Sequence, residues 1–212
     1  MPLLDPAFVY FSLKLLENRG RPVFGAAEHK FLLNPVLSEA EVKSFKMRHS
    51  VKLSTDYRNF LLTIGDGGAG PYYGVFPLGK MDDGFYLKSW KEDDGFIGSL
   101  VNPFPLKEPW NDLSTHPSVE LHETNATEYE RQLEEFEKVY WNPELLNGAI
   151  PLCHMGCALR VWLIVSGEKA GSLWRDGRAD STGLSPIVTR DQRPTTFSSW
   201  YLDWLQNPES MP

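Results

Sequence analysis

Cys153, His154 and Cys157 put two thiols and an imidazole into five residues, the material of a zinc site or of a thiol nucleophile with its base. Structural zinc asks for four ligands, usually in paired units, and His29, His49, His116 and His122 offer no second pair. A nucleophile needs its base within hydrogen-bond reach, yet neighbouring residues of a strand point to opposite faces. Both cysteines are therefore expected to be buried, reduced thiols acting as small hydrophobes. Four residues of strand would hold them ~13 Å apart, beyond disulfide reach unless the chain turns between them. No metal, disulfide or cofactor is expected.

The second stretch that suggests chemistry is Gly65-Asp66-Gly67-Gly68-Ala69-Gly70-Pro71, whose glycines at 65, 67 and 70 fit a G-x-G-x-x-G phosphate turn. That turn requires a strand before it and a helix after it, so that the helix N-terminus meets the phosphate. Here the order is reversed. Tyr57, Phe60, Leu61 and Ile64 recur at helical spacing and run into Gly65, while Tyr73 to Leu78 reads as a strand. A helix C-terminus repels phosphate, so the glycines are expected to serve a structural corner, with Gly67 and Gly68 at positive φ or against another segment.

Acidic residues are the third candidate set. Asp82-Asp83-Gly84 and Glu92-Asp93-Asp94-Gly95 lack the alternating ligands and terminal glutamate of a calcium loop, and they read as turns flanking a Phe85-Tyr86-Leu87 strand. Between Lys107 and Lys138 nine acids face three bases, a local charge of −6 within a chain of net charge −7. Glu134, Glu135 and Glu137 lie in this stretch, either on a solvated helix face or on a face that meets a basic partner, with Trp90 or Trp110 as aromatic anchors.

These residues are positioned by readable elements. Pro6 to Asn18 forms a helix expected to dock through Leu4, Phe8, Phe11 and Leu15, within an N-terminal docking segment 1–23. Ser38 and Glu41 make a capping box, with Leu37 and Val42 as its staple, and Val42, Phe45 and His49 line the inner face of the helix they open. His29 reads as a histidine hydrogen-bonded to backbone, with a ligand role as the alternative. The segment 101–118 holds four prolines and reads as a loop; a helix opened by Thr127 and Glu130 follows, with Tyr129, Leu133, Phe136 and Tyr140 inward. Leu159 to Val165 suits a central strand, Ser172 to Arg175 its neighbour, and Phe197, Trp200, Tyr201 and Trp204 a closing amphipathic helix.

Composition narrows the classes. With 212 residues, 42% of them hydrophobic, and seven tryptophans, the chain can bury a sizeable core as one α+β domain, a mainly antiparallel sheet flanked by N-terminal helices and covered by a C-terminal helix. A net charge of −7 disfavours nucleic acid and anionic membrane and suits a basic protein partner. The N-terminus has no basic leader region and no uninterrupted apolar run, so a cytoplasmic protein is expected.

Leu53 to Leu78, with Leu53, Tyr57, Phe60, Leu61, Gly67, Gly68, Ala69, Gly70, Pro71, Tyr73 and Gly74 in place, resembles the signature of the SUKH superfamily, which includes the yeast cell-wall assembly regulator and many bacterial immunity proteins. Ser54 stands where that pattern has proline, and Asp66 where it has asparagine; Ser54 is still expected to cap its helix. Ile150 to Trp174 is similar to the family's second half, and Phe24, Gly25, Ala26 and His29 to its lead-in. The resemblance spans roughly Phe24 to Leu205, interrupted by an acidic insertion at 103–140 that is expected to vary without disturbing the fold. It implies a non-enzymatic binding protein, foremost an immunity protein that masks a toxin domain by contact. A cytoplasmic regulator of the yeast type is the alternative within that class, and a thiol enzyme the alternative outside it.

Overall fold

A computed structural model describes residues 3–19, 22–82, 87–89 and 97–210. Four helices come first: α1 (Pro6–Glu17), the single turn α2 (Ala26–His29), α3 (Glu39–His49) and α4 (Thr55–Thr63). The box at the start of α3 is closed on both sides, Ser38 taking the Glu41 N–H and Glu41 taking the Ser38 N–H. At α4 the expected cap fails: Ser54 occupies the position, but its hydroxyl is buried without a hydrogen-bond partner. Asp56, in the first turn of α4, instead accepts the Ser198 N–H at 3.0 Å. That bond sets a carboxylate on the N-terminal turn of α7 (Phe197–Gln206), where the helix dipole favours negative charge.

The inner face of α1 is the opposite of the expected one. Val9, Leu13 and Leu16 are buried with Leu4, whereas Phe8, Phe11 and Leu15 are 40%, 63% and 52% exposed. Both sides of this helix are apolar, so periodicity alone does not choose between them.

Strands β1 (Lys80–Asp82) and β2 (Leu87–Ser89) pair as an antiparallel hairpin, Asp82 opposite Leu87. The expected turns at Asp83-Gly84 and Asp93-Asp94, the residues Phe85 and Tyr86, and Trp90 lie outside the described residues. The main sheet is antiparallel in the order β3 (Ala149–Gly156), β4 (Leu159–Ile164), β5 (Leu173–Asp176) and β6 (Leu184–Pro186). β4 is central, as its apolar run predicts.

The expected strand from Tyr73 to Leu78 does not form. Tyr72 turns at φ 55° and Gly74 at φ 98°, which interrupts the extended backbone, and only Val75 forms bridges. Val75 nevertheless completes a row of paired residues crossing the molecule: Leu33, Gly68, Val75, Cys153, Val161, Arg175 and Ser185. Paired residues of antiparallel segments project to the same side. A parallel row, Pro151, Trp162, Trp174 and Pro186, projects to the other.

Residues 103–140 help cover that second side. Phe104 meets Trp174 edge-on with ring centroids 4.8 Å apart, and Trp110 exchanges two 2.8 Å backbone hydrogen bonds with Leu184, pairing the outer edge of β6. The loop expected at 101–118 is present, but the helix after it is two: α5 (Val119–Thr124), capped by Ser118, and α6 (Ala126–Tyr140), capped by Asn125 rather than Thr127. At the far end of the chain α7 buries Phe197, Trp200, Tyr201 and Trp204, as their spacing predicts. Each such ring contributes roughly 1.5–3 kcal/mol, enough to hold a helix too short to persist alone.

Candidate functional site

The glycine corner is closely packed at its centre. Gly67 (φ 78°) lies against Val75 and Phe76, and at Gly68 (φ 96°) a Cβ would sit 2.5 Å from the Leu32 carbonyl. Gly68 exchanges two 2.8 Å hydrogen bonds with Val75, and Ala69 donates to Leu32 at 2.7 Å. Asp66 is half-buried, and this desolvation raises its carboxyl above the ordinary range despite the opposing 2.7 Å hydrogen bond it accepts from the Leu78 N–H. Tyr57, Phe60 and Pro71 are buried here and Tyr73 is exposed; the Tyr201 hydroxyl, from α7, donates to the Ala69 carbonyl at 2.7 Å. The corner is thus a crossing of three chain segments.

His29 sits beside it. Its Nδ1 accepts the Phe31 N–H at 3.1 Å, which leaves the proton on a buried Nε2, and burial pushes its pKa down to about 4. The backbone role expected of it is present.

The two cysteines part company. Cys153 is buried on β3, where burial pushes its thiol well above the ordinary value. Cys157 is exposed, contrary to expectation, because the chain turns there: Cys157 (φ 49°) and Ala158 (φ 64°) are the central residues of the β3–β4 hairpin, both left-handed as a type I′ turn demands. Both thiols are free. Among the described residues no three His, Cys, Asp or Glu side chains gather as metal ligands, and no helix is long and apolar enough to cross a membrane.

The acidic helix α6 carries the clearest built surface. Phe136 and Tyr140 are buried and stack with ring centroids 4.8 Å apart, which turns the charged positions outward. Helical geometry then divides the glutamates that the sequence groups together. Glu135 belongs to a flank with Glu128 and Arg131, where Arg131 bonds both carboxylates at 2.6 Å and, with Gln132, lowers the Glu128 carboxyl to about 2. Glu130, Glu134 and Glu137 recur at i, i+4 and i+7 on a different flank, where the one ion pair among the described residues is a loose 3.8 Å contact from Lys138 to Glu134. The same spacing continues to Trp141, which is 42% exposed.

The C-terminal end of this flank is tied to the sheet. Arg178 and Asp176, 5% and 8% exposed, form a buried bidentate pair at 2.9 and 2.7 Å, and Arg178 also donates to the Tyr140 carbonyl at 3.1 Å while its guanidinium lies 4.8 Å from the Trp141 ring centroid. A cation therefore meets the negative C-terminus of α6 and fixes it to the end of β5. Segment 103–140 is consequently docked on the fold at Phe104, Trp110 and Tyr140. Trp110, expected as an anchor, is half-buried, its backbone paired with Leu184 and its ring 5.4 Å from that of Tyr140. Asp82 ends β1; Asp83, Asp93 and Asp94 lie outside the described residues. Glu130 and Trp141 were readable from their spacing with Glu134 and Glu137, whereas nothing in sequence signals the Asp176–Arg178 pair.

Compared with models of protein families, with curated proteins and with solved structures, the chain gives no match in any of the three.

Proposed function

We propose that the protein is a non-enzymatic binding module that acts by direct contact with a basic protein partner, in the way expected of an immunity protein that masks a toxin domain. The observation that carries this reading is the Glu130, Glu134, Glu137 and Trp141 flank, a largely unneutralised acidic stripe ending on a half-exposed indole and anchored by a buried ion pair. Carboxylates in line would steer a basic surface to the helix, and an indole held in place is a suitable anchor because little side-chain freedom is lost on binding. The two SUKH-like motifs and the α+β architecture support the same class. A thiol enzyme using Cys153 has less support, since burial holds that thiol well above its ordinary value, and one using Cys157 would rest on the exposed hairpin turn.

The test begins with a pull-down from the source cell, followed by association kinetics against ionic strength. Reversal of the stripe (Glu130→Lys, Glu134→Lys, Glu137→Lys) is expected to slow association about tenfold at low salt and to flatten its salt dependence, while Glu135→Lys on the self-neutralised flank has a smaller effect. Equal rates for the stripe variant and the unaltered protein would refute the assignment.

A further inference from the structure

An open groove of about 900 Å³ runs between α7 and the β5–β6 end of the main sheet, remote in sequence from the α6 stripe. Its apolar lining comes from Met155 on β3, Ile187 after β6, and Trp200 and Leu202 on α7, with Tyr72 from beyond the glycine corner. Two arginines open into the same space. Arg175 is the β5 member of the row that crosses the sheet, placed there by pairing with Val161 and Ser185, and Arg190 stands in the turn before α7. Both are exposed, and neither has a carboxylate partner among the described residues, although Asp203 lines the groove too. Three residues past Arg190, Arg193 is held by Asp191 at 2.6 Å. In a chain of net charge −7, two guanidiniums without carboxylates over an apolar floor are the reverse of the prevailing surface.

We propose that this groove binds a small amphipathic organic anion, its apolar body on Met155, Ile187 and Trp200 and its carboxylate or equivalent acid group between Arg175 and Arg190. Charge complementarity selects the acid group, since guanidinium pairs with planar oxyanions through two parallel hydrogen bonds. Size selects the apolar body: the volume lies within the range of ligand sites, and a bare inorganic anion would leave the apolar lining wet. The site does not depend on the reading of α6 as a partner surface.

The probe is 8-anilinonaphthalene-1-sulfonate, followed by its own emission on the folded 212-residue chain, with N-phenyl-1-naphthylamine as the uncharged counterpart. One saturable site is expected for the anion. Arg175→Ala and Arg190→Ala are each expected to weaken it about tenfold, the loss of one charge-assisted contact, with unchanged melting because both side chains are exposed. The neutral probe is expected to bind at least tenfold more weakly, and decanoate to displace the anion. Equal binding of the two probes, or a double arginine variant that binds as the unaltered protein does, overturns the proposal. Displacement by a Glu-rich peptide but not by decanoate also overturns it, in favour of a peptide groove.

Discussion

The glycine corner and the 103–140 segment both invite a functional reading, and they exchange places once folded. The corner has the residue types of a phosphate loop, yet Gly67 and Gly68 lie directly against backbone of Leu32, Val75 and Phe76. The acidic segment has the composition of a solvated surface, yet its helix is fixed through a buried guanidinium and its edge pairs with β6. Composition reports what a residue could do, whereas burial decides what is left for it to do. An anchored helix with exposed charge meets the needs of recognition better than a mobile one, because less ordering entropy is lost on binding.

The sharpest way to break this comparison is at the corner. Gly67→Val and Gly68→Val are each expected to cost at least ~4 kcal/mol or to prevent folding, since a branched side chain at positive φ meets backbone that has no room to give. Urea unfolding reads this directly, and a variant that unfolds like the parent would show the corner to be open. Next in size is the anchor of α6. Asp176→Ala strands a buried cation and is expected to cost about 3–5 kcal/mol, whereas the double variant Asp176→Ala with Arg178→Met recovers much of the loss. If the single variant loses less than ~1 kcal/mol, α6 is held by its stacked rings alone. Smallest is the charge on α6: Glu134→Lys, Glu135→Lys and Glu137→Lys together are expected to shift stability by no more than ~1 kcal/mol in a thermal melt, because exposed pairs contribute little. A larger drop would mean that the carboxylates support the fold.

Local signals in the sequence carry through where a cap pairs with its partner, where one helix face is polar, or where a strand is apolar almost throughout. The Ser38–Glu41 box, the inner face of α7 and the central strand β4 all stand where their patterns place them. Patterns mislead where both faces are alike, as in α1, whose Phe8, Phe11 and Leu15 have the same periodicity as its buried Val9, Leu13 and Leu16. They mislead again where backbone geometry overrides propensity: left-handed residues at 72 and 74 undo the strand that Tyr73 to Leu78 suggests, and at 157 and 158 they expose a thiol expected to be buried. Ser54 lies at a helix start but turns its hydroxyl inward, so type and position together do not make a cap. The α6 flank was half legible, since glutamates and Trp141 recur at helical spacing. The seat of Arg178 on the Tyr140 carbonyl and the arginine groove were not, because each joins segments far apart in sequence that meet only in the folded chain.

The paired row from Leu33 to Ser185 also bears on the order of assembly. β3, β4 and β5 join neighbours in sequence and close quickly, whereas Val75 must find Cys153 across the hairpin β1–β2 and the whole acidic segment. During synthesis from the N-terminus, the corner and its flanking residues emerge long before the strand they pair with. The pairing of Val75 with Cys153 is therefore expected to come late, whereas the contacts within the crossing, Leu33 to Gly68 and Gly68 to Val75, are short in sequence. Because loop-closure entropy rises only logarithmically, ~0.6 kcal/mol per doubling, added length in the undocked parts of the connection between Val75 and Cys153 is expected to cost less than changes at the residues by which it docks.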